Sequence, residues 1–185
     1  MYRLFIIIIV FVLLYGVYLY ISVKTIDKNK TPVLLPMGKL EDIQKEIELI
    51  NENLPKGHKN LTMSIYENSI KYDLDWRIIL SVIKTESSWD SLAKSPKGAK
   101  GLMQIMPIMA QVYSSLYFNG KEFNLYNLTD NLNIGSRILY DNISVYGLEK
   151  GLACYNGGPK QARLYAENRA CKETTNYVIK ILENL

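Results

Sequence analysis

Glu86 closes an apolar stretch, Ile79-Leu80-Ser81-Val82-Ile83-Lys84-Thr85-Glu86-Ser87-Ser88-Trp89, and Gly98-Ala99-Lys100-Gly101-Leu102-Met103-Gln104-Ile105-Met106-Pro107 follows downstream. A carboxyl group at the end of an apolar helix is poorly placed to ionise. Burial disfavours its charged form, and the negative end of the helix dipole disfavours it further. Both raise the pKa, which is what a general acid working near neutral pH requires. The competing reading is a surface glutamate in a last helical turn, and the residues after it decide between the two. Gln104 is informative here, because an amide between Met103 and Ile105 must find partners or be exposed in a cleft.

Four blocks then recur in one order. They are Glu86-Ser87; Ser95-Pro96 with Gly98-Ala99-x-Gly101-Leu102-Met103-Gln104-Ile105-Met106-Pro107; Ala153-Cys154-Tyr155-Asn156-Gly157-Gly158-Pro159; and Glu173-Thr174-x-x-Tyr177-Val178. In order and spacing they resemble the signature of the soluble lytic transglycosylase type of peptidoglycan-cleaving enzymes, over residues 60 to 185. Each block is short, and the ordered set is what makes the resemblance specific. Cys154 and Gly157 depart from the pattern, standing where alanine is common, and this bears on packing more than on chemistry.

The resemblance implies an all-α, lysozyme-like transglycosylase domain and a one-carboxyl mechanism. Glycosidic cleavage ordinarily uses two carboxyl groups. Asp90 is near in sequence but falls in a loop, where a solvated aspartate is the simpler reading. By resemblance, Glu86 protonates the oxygen joining N-acetylmuramic acid to N-acetylglucosamine. It then takes the proton of the muramoyl C6 hydroxyl, closing a 1,6-anhydro ring without consuming water. Ser87 and Ser95 supply hydroxyls for Glu86 or the sugar, and Gln104 a donor–acceptor fork for an acetamido group. Met106 lines the cleft, Tyr155 and Asn156 contact sugar, and Tyr177 approaches Glu86 from the last helix. Met106 and Tyr177 suit a core equally well, Ser87 suits a helix cap, and Gly98, Gly101 and Gly157 suit backbone shaping. No cofactor or metal is implied. Two rivals stay open: a hydrolytic muramidase on the same fold, and a wall-binding assembly protein of a secretion or conjugation apparatus.

Helices must position these residues. Ile65 and Ile70 with Tyr66 and Tyr72 predict one helix ending before Asp73, and Asp75 is a candidate N-cap for a helix over Trp76–Glu86. Residues 87–100 read as a loop, and Pro107 suits the first turn of a helix running to about Leu116. Residues 117–128 read as a surface loop. Further helices are predicted over 131–146, 148–155, 159–168 and 173–185, and no segment alternates with period two. Leu40, Ile43, Ile47, Ile50 and Leu54 form an amphipathic stripe, stopped by Pro55 and Gly57. That stripe is expected to pack on the catalytic domain, with docking of a protein partner through residues 39–54 as the alternative.

Leu4 to Val23 is uncharged and apolar, about twenty residues and long enough to span a bilayer. Tyr15, Tyr18 and Tyr20 cluster toward its end, and no small-residue cleavage site follows. The organisation expected is therefore a transmembrane signal anchor (1–23), a tether and connector helix (24–58) and a catalytic domain (59–185). Arg3 precedes the span while Lys24, Lys28 and Lys30 follow it, so charge does not argue for an outward C-terminus. The expectation of a single-pass protein of the cytoplasmic membrane, its domain on the periplasmic or extracytoplasmic side, rests on the resemblance and its peptidoglycan substrate. The net charge is +4 with mixed signs, and no basic stripe interleaves with aromatics, which argues against nucleic acid. With one histidine, His58, a zinc site lacks ligands. Cys154 and Cys171 read either as two free, partly buried thiols or as a pair in an oxidising compartment.

Overall fold

The structure is a computed structural model that describes residues 40–185. The membrane span expected over 4–23 and the tether after it lie outside the described residues. No helix among the described residues is long and apolar enough to cross a membrane.

The described chain is helical: α1 (Leu40–Asn53), a 3-10 turn (Lys59–Leu61), α2 (Thr62–Tyr72), α3 (Trp76–Ser87), α4 (Pro107–Tyr117), α5 (Leu128–Tyr146), α6 (Leu148–Ala166) and α7 (Lys172–Leu182). Local chemistry explains the boundaries. Asp73 takes a left-handed conformation (φ 49°) that stops α2. Two residues on, the Asp75 carboxylate accepts the Arg77 backbone N–H at 2.9 Å and starts α3. Pro107 sits at the first position of α4, where its missing N–H costs nothing. α5 begins at Leu128 rather than Asn131, because the Asn127 side chain accepts from Asp130 N at 3.0 Å and caps it.

The expected pair of helices over 148–155 and 159–168 is one kinked helix, α6. Gly158 breaks it with φ 79° and ψ 178°, and Pro159 cannot bond back to the turn before it. α6 packs on α5 and α7, α2 on α5, and α3 on α7. Gly151 lets α6 come close, since a Cβ there would stand 2.7 Å from Ile143 Cα. Ile79, Val82 and Ile83 of α3 meet a core shared with Val178 and Ile181 of α7, all fully buried. Arg137 pairs with buried Asp141 at 3.1 Å and lies 3.6 Å over the Tyr117 ring, tying α4 to α5. Burial raises the Asp141 pKa despite that cation.

The connector stripe packs on α2 as expected. Ile50 is wholly buried and Leu54 nearly so, and Thr62 Oγ1 donates to Asn51 Oδ1 at 3.2 Å. At roughly 2 kcal/mol for each aliphatic side chain withdrawn from water, those two contacts outweigh any single surface ion pair.

Candidate active site

Glu86 lies in the last turn of α3, just before an abrupt reversal. Ser88 (φ 50°) and Trp89 (φ 73°) are consecutive left-handed residues without being glycine, a costly arrangement that neighbouring contacts must hold. His58 supplies one such contact. Its Nε2 is 3.2 Å from Trp89 O, and the two rings lie 5.8 Å apart. A carbonyl only accepts, so Nε2 carries the proton.

The Glu86 side chain is partly exposed but mostly enclosed by protein. Burial raises its pKa to about 7; a hydrogen bond from Tyr177 opposes that rise, and the negative charge of Glu173 adds to it. Near neutral pH the carboxyl group is therefore divided between acid and carboxylate, as a group that both gives and takes a proton requires. Tyr177, buried on α7, and Tyr155, on α6, flank it. Burial and then the Glu86 charge hold both phenols well above their usual pKa, so both remain donors. Tyr155 spends its proton on Met103 O at 2.9 Å. The Tyr177 contact is looser, since its hydroxyl has no partner at ordinary hydrogen-bond geometry.

Met103 belongs to a tight loop. Lys100 and Ile105 exchange backbone bonds at 3.0 Å, and Gly101 turns the chain at φ 76°. A side chain at Gly101 would collide with Leu125 O and the Asn131 amide. Asn131, 1% exposed, clamps the loop with every bond its position allows. Its Oδ1 accepts from Met103 N at 2.8 Å, and its Nδ2 donates to Lys100 O at 2.9 Å and Leu125 O at 2.8 Å. The Met103 residue thus links Asn131 through its N–H to Tyr155 through its C=O.

The other expected site residues divide. Asn156 accepts the Thr174 hydroxyl at 2.8 Å, which joins α6 to α7 beside the tyrosines. Met106 is partly buried and caps α4. Gln104 donates to Gly101 O at 2.9 Å and Ala93 O at 3.2 Å, so only its oxygen is left for a ligand, and the expected donor–acceptor fork is reduced to an acceptor. Ser95 is used by its own loop: its hydroxyl accepts from Ala99 N at 3.0 Å and its N–H donates to Ala99 O at 3.0 Å. Ser87 bonds back to Ile83 O at 3.2 Å, the helix-end role, and so makes no bond to Glu86.

Three residues escaped the sequence reading. Sequence alone gives Glu173 no role within its block, marks Asn131 only as a helix start, and counts His58 only as the one histidine, too few for a zinc site. A lone amide on the apolar face of α5 is the signal that could have found Asn131. Both thiols are free. Cys154 is buried, and burial pushes its thiol up to about 12. Cys171 is exposed rather than partly buried, and its thiol is lowered by hydrogen bonding with Thr174.

Residues 63–178 match the family model described as Transglycosylase SLT domain. The chain is 34% identical over 118 residues to the transglycosylase of Enterobacteria phage PRD1, covering 63% of this chain and 40% of that protein. It is 33% identical over 104 residues to the soluble lytic murein transglycosylase of Salmonella typhimurium, covering 53% of this chain and 16% of that protein. Among solved structures it is similar to the 70 kDa soluble lytic transglycosylase of Escherichia coli, with TM-score 0.61 and 25% identity over 76% of this chain and 26% of that one. The chain therefore spans well under half the length of the relatives it matches.

Proposed function

The chain belongs to the transglycosylase SLT family and has the lysozyme-like fold, and from that premise we propose that it is a peptidoglycan lytic transglycosylase. It cleaves the β-1,4 bond between N-acetylmuramic acid and N-acetylglucosamine and leaves a 1,6-anhydro-muramoyl end. The observation that carries this reading is Glu86, a largely buried carboxyl group with a pKa near 7 between two protonated tyrosines. In its acid form Glu86 protonates the departing oxygen. As a carboxylate it takes the C6 hydroxyl proton, and the low-dielectric site strengthens both steps. Tyr177 steadies the charge that Glu86 acquires between them. Tyr155 holds the Met103–Gln104 segment, which presents the Gln104 oxygen to an acetamido N–H. Met106 forms an apolar wall, and Asn156 meets sugar from α6. Ser87 and Ser95 act by shaping the helix end and loop.

The uncharged run over 4–23 supports a single-pass anchor in the cytoplasmic membrane, with the domain on the periplasmic or extracytoplasmic side. The division into anchor (1–23), connector (24–58) and catalytic domain (59–185) follows from it. A protein partner through residues 39–54 has less support, because Ile50 and Leu54 are already covered.

Glu86→Gln is expected to abolish lysis of purified sacculi with the fold intact, and retained lysis would remove the assignment. Glu173 gives the muramidase reading a specific basis, since it brings a second carboxylate near Glu86. Mass spectrometry of the digest separates the two, because the anhydro product is one water lighter than the hydrolytic one.

A further inference from the structure

We propose that His58, a residue of the connector, is a positioning residue for Glu86, acting through its Nε2 bond to the turn that follows the acid; this rests on the cleavage reading above. The turn needs holding. Ser88 and Trp89 are left-handed at φ 50° and 73° without being glycine, directly after the last turn of α3. Relaxation of either toward ordinary backbone would swing the end of α3, where Glu86 sits. The same turn joins the two halves of the site. At its near end Asp90 N donates to Ser87 O at 3.1 Å, next to Glu86. Asp90 then closes a second turn, its carboxylate accepting from Leu92 N at 2.8 Å and its carbonyl from Ala93 N at 3.2 Å. At the far end Ala93 O accepts from Gly101 N at 2.9 Å and from Gln104 Nε2 at 3.2 Å. A shift at Trp89 is therefore felt at the acid and at the Gln104 amide together.

His58 is itself fixed on both sides. Its N–H donates to Pro55 O at 3.1 Å and its carbonyl accepts from Leu61 N at 2.9 Å, between the buried Leu54 and Leu61. The ring lies tilted against the Trp89 indole, at 50° with centroids 5.8 Å apart, and Nε2 meets the Trp89 carbonyl at 3.2 Å. Its other nitrogen, Nδ1, is buried without a hydrogen-bond partner, so the bond to Trp89 is the polar contact that orients the ring. A residue kept for bulk alone would not carry one nitrogen to that carbonyl while leaving the other buried and unpaired. The chemical consequence falls on Glu86. Burial is the largest cause of its high pKa; Tyr177 opposes the rise and Glu173 adds to it, both from α7, and Tyr155 faces it from α6. Loosening the turn admits water to the carboxyl group, which lowers that pKa. The acid form needed for proton delivery is then lost at a lower pH.

The test follows kcat and KM against pH for the full chain and its His58→Ala, His58→Gln and Ile50→Ala variants, with melting by calorimetry alongside. In the parent chain kcat is expected to fall above pH of about 7. In His58→Ala that limb is expected about one unit lower, so kcat drops roughly fivefold at about pH 7 and returns toward the parent value near about pH 5, with KM within about twofold. His58→Gln keeps a donor for Trp89 O and is expected to restore most of the limb. Ile50→Ala loosens the same connector without touching the brace, so it lowers the melting temperature and keeps the parent limb. A limb left in place in His58→Ala would overturn the proposal, as would a glutamine variant no better than alanine. So would an equal loss at every pH, or an equal shift in Ile50→Ala, either of which assigns His58 to stability alone. An NMR titration of the Glu86 carboxyl carbon reads the same shift without turnover. If the parent chain leaves sacculi uncut, the cleavage reading fails on its own. The titration then decides the brace: a midpoint that falls in His58→Ala upholds it, and one that stays in place overturns it.

Discussion

Because the Glu86 pKa lies near 7, proton delivery requires the form that is lost as pH rises. Cleavage with saturating substrate is expected to fall above pH of about 7, tenfold per unit in the limit, and a rate rising steadily across that range would refute the assignment. The same shift has a stability consequence of definite sign. Folded Glu86 holds its proton up to about 7, while an unfolded glutamate releases it near 4.5. Between those values the native state binds more protons than the unfolded one, so stability falls as pH rises through the window. The full loss is about 3 kcal/mol. Glu86→Gln cannot ionise and should escape it, gaining about 3 kcal/mol on the parent chain between about pH 4 and pH 8 in urea unfolding. The direction of this pKa was readable from a carboxyl group ending an apolar helix. The contributions of Tyr177 and Glu173 were not, because they depend on α3 meeting α7 across a long stretch of chain.

At the level of elements, the loop that carries Gln104 depends on α5 as well as on its own residues. Asn131→Ala would remove the partners of Met103 N and Leu125 O and one of the two bonds to Lys100 O, which keeps the Ile105 N–H. A loss of about 3 kcal/mol is expected by chemical denaturation, with wall cleavage falling further than stability alone explains. Asn131→Asp keeps the acceptor for Met103 N but sets a carboxylate oxygen against the Lys100 and Leu125 carbonyls, so it should lose at least as much activity as the alanine variant, which a purely space-filling role would not produce. The helices were legible because apolar residues repeat at helical spacing and Asp75 and Pro107 mark starts. The loop interior was not. Gln104 looked like a free ligand-binding fork, yet its donors close the turn, and Ser95 was claimed by Ala99 in the same way. Nothing in composition separates a polar side chain kept for substrate from one spent on backbone.

Across the whole described chain, α1 and the turn after it belong to the same packed body as the site. Removing residues 40–58 would expose the surfaces that Ile50 and Leu54 cover, and the melting temperature should drop by roughly 10 °C in scanning calorimetry. A smaller change, His58→Gln, retains a donor for Trp89 O and should preserve more activity than His58→Ala. Amphipathic spacing was enough to predict that this helix packs inward. The reach of His58 to Trp89 was invisible, since the two lie 31 residues apart and neither stands in a recurring block. The family-model match begins at residue 63, beyond that histidine. Anyone who trims the chain to its recognisable portion, to build a lytic fusion or a smaller crystallisation target, would discard the brace behind the acid and then mistake a crippled fragment for a sluggish enzyme.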